Sequence, residues 1–351
     1  MKNRWFICVA ATALLGIVIH PTVLWGFRLP NVGFLAWVYL VPLLYYLRVT
    51  DGKHPFLSGF SASFLSHAVN LYWFVPAMVN FGGIGKTASV GLLLLAVLIL
   101  SFFFGMALKL SLFVARKTLF PLFILQALFL TAFDVLRTYW PVKGFPWGLT
   151  AYSQAPYLAL FQWVDTLGVF GLDFMIYLVN VLIAEILLTI RRPVARDLLV
   201  SRSILVGLVV VLSLVGSILR RGETLEATTE KKGKSIALVQ GNISQLHKWN
   251  PTLARHHFER HFRLTQKAKL GGAELVIWPE SAYPFTIPLS DLSDHHFQTV
   301  GGTPLPVLFG AVAQADAPLG AEPVIHNSAF LIAGGGPVSA FYHKRHLVPF
   351  G

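Results

Sequence analysis

Charge is scarce in this sequence: only 13% of its 351 residues are Asp, Glu, Lys or Arg, while 55% are hydrophobic. With a mean hydropathy of +0.64, such a composition excludes an ordinary soluble domain and predicts a membrane protein. Cysteine is nearly absent. Cys8 is the single one, which excludes an intrachain disulfide framework and a Cys-based zinc site. Acidic residues are the rarer sign, 16 against 28 Lys and Arg, for a formal net charge of +12. The basic residues gather at the ends of apolar segments instead of forming one stripe. That distribution fits membrane topology and anionic lipid headgroups, and predicts no nucleic-acid partner.

What is abundant is apolar runs. They predict about seven spans, near residues 5–19, 32–47, 56–79, 87–114, 119–136, 161–190 and 203–219, most of them close to the ~20 residues a bilayer requires. No small-x-small cleavage site follows the first run, which therefore reads as an uncleaved span. Lys2, Arg4, Arg48, Lys53, Arg116, Lys117, Arg191, Arg192, Arg196 and Arg202 fall on alternate sides from Arg28, Lys86, Arg137 and Lys143. The richer set is cytoplasmic by the positive-inside rule, so the chain after Arg221 is expected on the outer face.

Polar residues within the runs carry separate expectations. His67 and Asn70 should bond to neighbouring helices. Glu185 should pair with Arg191 and Arg192 at the inner end of its span. Asp165 and Asp173 should lie near the outer boundary, either as solvated interface residues or in a lipid or substrate role. The aromatic, Pro- and Gly-rich segment 138–148, with Phe145 and Trp147, reads as an interfacial belt or as a mouth for lipid headgroups. Asn80 to Thr87 resembles a phosphate-binding loop, but Asn80 stands where glycine is required and no strand precedes it, so a turn is expected.

Residues 222–234 form a polar linker between a membrane domain, 1–221, and a second domain, 235–351. There the pattern changes to short apolar runs at 236–239, 275–278, 307–312, 328–332 and 339–342. A helix begins at Asn250 and Pro251, its face marked by Ala254, Phe258, Phe262 and Thr265, and ends at Gly271 and Gly272. Strand, helix and strand at this spacing predict an α/β domain. Leu275 to Trp278 reads as a strand buried on both faces, and Pro279 must end it because proline cannot donate to a ladder. Glu280 then stands at a strand's carboxyl end, where open α/β sheets place their chemistry. Lys344 likewise follows a short strand. A lysine beside a carboxylate can donate to a developing oxyanion while the carboxylate takes a proton. His247, His256, His257, His261, His295 and His296 gather in this half. Phe258 breaks the zinc-protease pattern between His257 and His261, so a solvated helix face is expected, with no metal and no cofactor.

Val239-Gln240-Gly241-Asn242, Lys248-Trp249, Trp278-Pro279-Glu280-Ser281, His326-Asn327-Ser328 and Tyr342-His343-Lys344-Arg345-His346-Leu347-Val348-Pro349-Phe350-Gly351 follow in order. With Gly144-Phe145-Pro146-Trp147 and Tyr152-Ser153-Gln154, they resemble the apolipoprotein N-acyltransferases over nearly the whole chain. The resemblance implies a multi-span α-helical membrane domain followed by a partial α/β nitrilase-like (αββα sandwich) domain on the periplasmic side of a bacterial inner membrane. It implies ping-pong acyl transfer by a Glu-Lys-Cys triad, with Glu280 as general base and Lys344 as oxyanion donor. Trp249 would belong to a mobile region over the site, Asn327 would support it, and Phe145 and Trp147 would contact substrate. The acyl donor would be a phospholipid, typically phosphatidylethanolamine, and the acceptor the amino group of the diacylglyceryl-cysteine of an apolipoprotein. A monomer is expected. In that family the nucleophilic cysteine comes well after the lysine motif. The resemblance therefore implies an amino-terminal portion without the nucleophile, inactive alone. Two other readings use the same residues differently. A membrane-tethered amidase would share Glu280 and Lys344 without needing the Phe145 and Trp147 mouth, and a non-catalytic protein would only bind lipid or a partner.

Overall fold

The structure is a computed structural model that describes residues 2–20, 23–24, 27–28, 32–141, 144–157, 162, 164–190, 196–229, 233–290, 292, 305–316, 322–333 and 337–345. It divides into two compact units, Met1–Ala227 and Thr228–Gly351. The first is helical: α1 (Lys2–Val18), a small β1–β2 ladder (Val23–Leu24 with Phe27–Arg28), a 3-10 turn (Gly33–Trp37), α2 (Val41–Val49), α3 (Pro55–Asn70), α4 (Phe74–Gly82), α5 (Lys86–Ala115), α6 (Leu122–Tyr139), α7 (Val164–Ile190) and α8 (Arg196–Thr229). Among the described residues four helices are long and apolar enough to cross a membrane: α5, α6, α7 and the Val200–Arg220 part of α8. This is a membrane protein.

Two of the apolar runs are interrupted. The run at 32–47 is a 3-10 turn followed by α2, and the run at 56–79 breaks at Leu71 to Trp73 between α3 and α4. Pro42 and Pro76 supply the cause, since neither has an N–H to bond back into a preceding turn. Within the segment 222–234, expected as a linker, α8 runs on to Thr229. Glu223, Leu225, Glu226 and Ala227 all favour helix and outweigh Gly222. Residues 80–87 form the turn expected of them, with Gly83 at φ +63° ending α4 and Gly85 preceding α5.

Packing in this unit relies on close approach and on polar ties. A Cβ on Gly59 would lie 2.8 Å from Leu108 Cδ1, and one on Gly105 would lie 2.9 Å from the Phe56 carbonyl oxygen, so α3 and α5 meet through small residues. Asn180 of α7 accepts from Leu40 N at 2.8 Å and donates to the Ala36 carbonyl at 2.8 Å, fixing the entry to α2. Asn70 donates to the Gly16 carbonyl on α1 at 3.0 Å, the neighbouring-helix bond expected of it. His67 instead shares Nδ1 with the Ser63 carbonyl of its own helix at 2.9 Å. Glu185 pairs with Arg48 at 3.1 Å and Arg202 at 2.8 Å, while Arg191 and Arg192, its expected partners, lie outside the described residues. Asp165 is exposed and pairs with Arg220. Asp173 is fully buried, with Oδ1 accepting from Ala151 N at 2.7 Å, so it is not a solvated boundary residue.

In the second unit β3 (Ile236–Leu238), a short helix α9 (Gln245–Lys248), α10 (Ala254–Leu270), β4 (Leu275–Ile277), β5 (Ile287–Pro288), β6 (Val307–Ala315), β7 (Val324–Ile332) and β8 (Val338–His343) build one sheet in the order β3-β4-β6-β7-β8. β3 and β6 flank β4 in parallel, and β6, β7 and β8 are antiparallel. β5, absent from the sequence expectation, runs parallel beside the far end of β6. Asn250 accepts from Thr252 N at 3.0 Å with Pro251 next to it, and a 3-10 turn there leads into α10.

Two expectations are corrected here. Val276 and Trp278 are buried, but Leu275 and Ile277 are half-buried, so β4 is covered fully on one face only. Period-2 alternation sends Val276, Trp278, Phe309 and Phe330 into one core with Phe258 and Leu264 of α10. Ile236 and Leu238, pointing the other way, are 51% and 79% exposed. His257 and His261 are not on a solvated face; they are buried with Ala254 and Thr265. His261 packs on Trp278 with ring centroids 5.1 Å apart and bonds through Nδ1 to the His257 carbonyl at 2.9 Å. Burial lowers the pKa of both imidazoles, which keeps them neutral and compatible with a core position. Trp278 in turn donates to Thr265 Oγ1 at 2.8 Å, tying β4 to α10.

Candidate active site

Three of the expected site residues come together at one end of the sheet. Glu280 follows β4 by three residues, Asn327 lies within β7, and Lys344 follows β8. Asn327 Nδ2 donates to Glu280 Oε1 at 2.5 Å and Lys344 Nζ donates to the same oxygen at 3.0 Å. The Lys344 backbone N–H bonds to the Asn327 carbonyl at 2.8 Å, so β7 holds both donors in register. The neighbour on the other side is β6. Gly310 N donates to the Pro279 carbonyl at 3.3 Å and Tyr283 N to the Gly310 carbonyl at 3.0 Å. A Cβ on Gly310 would lie 2.5 Å from Ser281 N and 2.7 Å from Glu280 Cα. Gly310→Ala should therefore push the Glu280 backbone off β6 and destabilise the unit by about 1–3 kcal/mol, the usual cost of forcing atoms into filled space. Hydrogen exchange of the β4 and β6 amides across a denaturant series measures it. Unchanged protection would show that the turn gives way freely.

The electrostatics favour the ionised carboxylate. The hydrogen bonds from Lys344 and then Asn327 hold the Glu280 pKa below the ordinary glutamate value, against a smaller desolvation effect. A lowered folded-state pKa gives stability that is present above the unfolded pKa and lost as pH falls through the folded one. With the Glu280 side chain 61% exposed, solvent screening makes that contribution small. Carbon-13 NMR titration should place the Glu280 midpoint below that of an unfolded peptide. Lys344→Met should move it upward, and a midpoint that stays put would remove Lys344 as the cause.

Lys248 is a neighbour that the sequence offered only as part of a motif. Its Nζ donates to the Glu280 backbone carbonyl at 3.0 Å and lies 5.6 Å from the centroid of the Trp249 ring. Partial burial lowers its pKa, with Glu280 opposing. Trp249 itself is 55% exposed. Beside the turn is a pocket of about 240 Å³ lined by Asn242, Lys248, His257, His261 and Ser281. Among the described residues no three His, Cys, Asp or Glu side chains form a metal-binding group. His295, His296 and residues 346–351 of the lysine motif lie outside the described residues.

Phe145 and Trp147 belong to the other unit. Trp147 lines a cavity of about 460 Å³ among α1, α3, α5, α6 and α7, together with His67, Arg137, Thr150 and Tyr177. Trp147 packs on Trp73 with ring centroids 5.0 Å apart, and Phe145 on Phe74 at 6.2 Å. The buried pair beneath them, Asp134 and Arg137, was missed as a site feature. Its one sequence signal is an Asp-x-x-Arg spacing in the last turns of an apolar helix.

Comparison with known proteins covers both units. Residues 21–182 match the family model described as the apolipoprotein N-acyltransferase N-terminal domain. The apolipoprotein N-acyltransferase of Geobacter metallireducens is 30% identical over 331 residues, which are 93% of this chain and 61% of that protein. Those of Haemophilus ducreyi and Chlorobaculum tepidum are 26% and 29% identical over 92% and 90% of this chain. The chain spans about three fifths of the length of these curated relatives.

Proposed function

Because the chain belongs to the apolipoprotein N-acyltransferase family, we propose that it serves the N-acylation of the diacylglyceryl-cysteine of apolipoproteins, with a phospholipid, phosphatidylethanolamine foremost, as acyl donor. The single observation that carries this reading is the convergence of Lys344 and Asn327 on one oxygen of Glu280 at a strand exit. Glu280, kept ionised, takes the proton of a thiol; the thiolate sulfur attacks the ester carbonyl of the lipid. Lys344 donates to the oxyanion that forms, the C–O bond breaks, and the lysolipid alkoxide leaves with the proton. The amine of the acceptor then attacks the thioester and displaces the thiol. Cys8, in α1 of the membrane unit, is the chain's one cysteine, and residues 228–351 contain none; we assign the acyl-carrying thiol to a residue other than Cys8. A nitrilase-like character for the sheet unit, about seven crossings and a periplasmic site at a bacterial inner membrane complete the reading.

The test uses the protein expressed from its complete reading frame, with Cys8→Ala, incubated with phosphatidylethanolamine. A hydroxylamine-sensitive acyl adduct, discharged by a diacylated lipopeptide to give the triacylated product, is the expected result. An adduct that disappears with Cys8→Ala would overturn the assignment of the thiol, and a soluble amide hydrolysed in place of lipid turnover would overturn the substrate class.

A further inference from the structure

We propose that Asp134 and Arg137 form a positioning pair that holds the segment Gly144 to Gly148 and so sets the mouth of the membrane unit's cavity; only the identity of the lipid that enters rests on the function proposed above. Both residues are buried near the end of α6, 8% and 6% exposed. Arg137 Nε donates to Asp134 Oδ1 at 2.6 Å, and Nη1 donates to two backbone carbonyls, Phe145 at 3.2 Å and Trp147 at 2.8 Å. The Phe145 N–H returns a bond to the Arg137 carbonyl at 2.8 Å. Nε and Nη1 thus serve Asp134 and the loop's own backbone, which makes the guanidinium a support for the loop. Asp134 is held in its turn, with Oδ2 accepting from Tyr177 O–H at 2.5 Å and Tyr177 sharing a bond with Thr150 at 3.0 Å.

The loop is built to be held this way. Gly144 has φ +77°, and a Cβ there would fall on the Thr138 carbonyl, so only glycine lets the chain fold back onto the end of α6. With its carbonyls turned inward to Arg137, the segment presents Phe145 and Trp147 to Phe74 and Trp73 of the α4 region. Asp134, Arg137, Trp147 and Gly148 all line the same cavity. A planar fork that serves three acceptors at once is a geometry that lysine cannot reproduce, although it carries the same charge.

The experiment compares the 351-residue chain, purified in detergent with phosphatidylethanolamine, with Arg137→Lys, Tyr177→Phe and the double variant Asp134→Asn/Arg137→Gln. The double variant removes both charges together, so that neither is left buried alone. Hydrogen exchange is read by mass spectrometry over residues 144–149 and over α5 and α7, and bound lipid by native mass spectrometry. Arg137→Lys is expected to leave α5 and α7 protected while exchange at 144–149 rises by roughly tenfold or more, as loss of hydrogen bonds to a charged group implies, and bound phosphatidylethanolamine falls. Tyr177→Phe should give a smaller change in the same direction. Unchanged exchange at 144–149 in Arg137→Lys, or in the double variant should the lysine variant not fold, overturns the proposal. So does a loosened loop with full lipid retention, since the pair would then be structural only. Neither outcome depends on acyl transfer, so failure here is separable from failure of the proposed reaction.

Discussion

Glu280→Gln, in the protein expressed from its complete reading frame, is expected to lower acyl-thioester formation by about 10²–10⁴-fold, the range for loss of a general base. The amide keeps the size of the carboxyl group and can still accept from Lys344 and Asn327 at the oxygen they share. Folding should therefore change little, because the side chain is 61% exposed and its ion pair is screened. What is lost is the ability to take a proton. Quench-flow measurement of thioester with labelled phosphatidylethanolamine, beside a thermal unfolding curve of the same sample, separates the two effects. Wild-type thioester levels in a folded Glu280→Gln protein would remove Glu280 from the mechanism. A collapse of thermal stability would instead show that the turn after β4 needs the ion pair.

Lys344→Met should cost about 10²–10³-fold in turnover, the usual consequence of removing one donor from an oxyanion site. Part of the loss should appear as a shifted pH profile. Without Lys344 the Glu280 pKa rises, so the base is lost to protonation at a higher pH than in the wild type. Lys344→Arg tests shape against charge. It keeps the positive charge and the pairing to Glu280, but the planar guanidinium occupies the place of a compact ammonium. Turnover close to wild type in Lys344→Arg would show that a positive charge alone is required there. Turnover as low as in Lys344→Met would show that the position of one N–H decides it.

The sequence by itself determined what depends on neighbours along the chain. Composition made it a membrane protein, the change of pattern after Arg221 marked a second unit, and Pro279 placed Glu280 at a strand exit because no ladder can pass a proline. Asn250 and Pro251 announced a helix start, and Asn327 and Lys344 were named from their motifs. Tertiary structure decided which partners meet. Glu185 selects Arg48 and Arg202 from other helices. His261 is a core residue because Trp278 and the close approach of Gly241 receive it, with a Cβ on Gly241 lying only 2.5 Å from His261 Nε2. Gly310 lies 30 residues beyond Glu280 in sequence and directly against it in space. The support of the aromatic segment by Asp134 and Arg137 is of the same kind, since an i, i+3 pair on a helix reads as a surface ion pair until a folded loop brings two carbonyls onto it. Helix and strand periodicity report only which way a side chain leaves the backbone. Whether it meets solvent, a ring or a carbonyl is fixed by segments far along the chain, and those contacts exist only once the fold has formed.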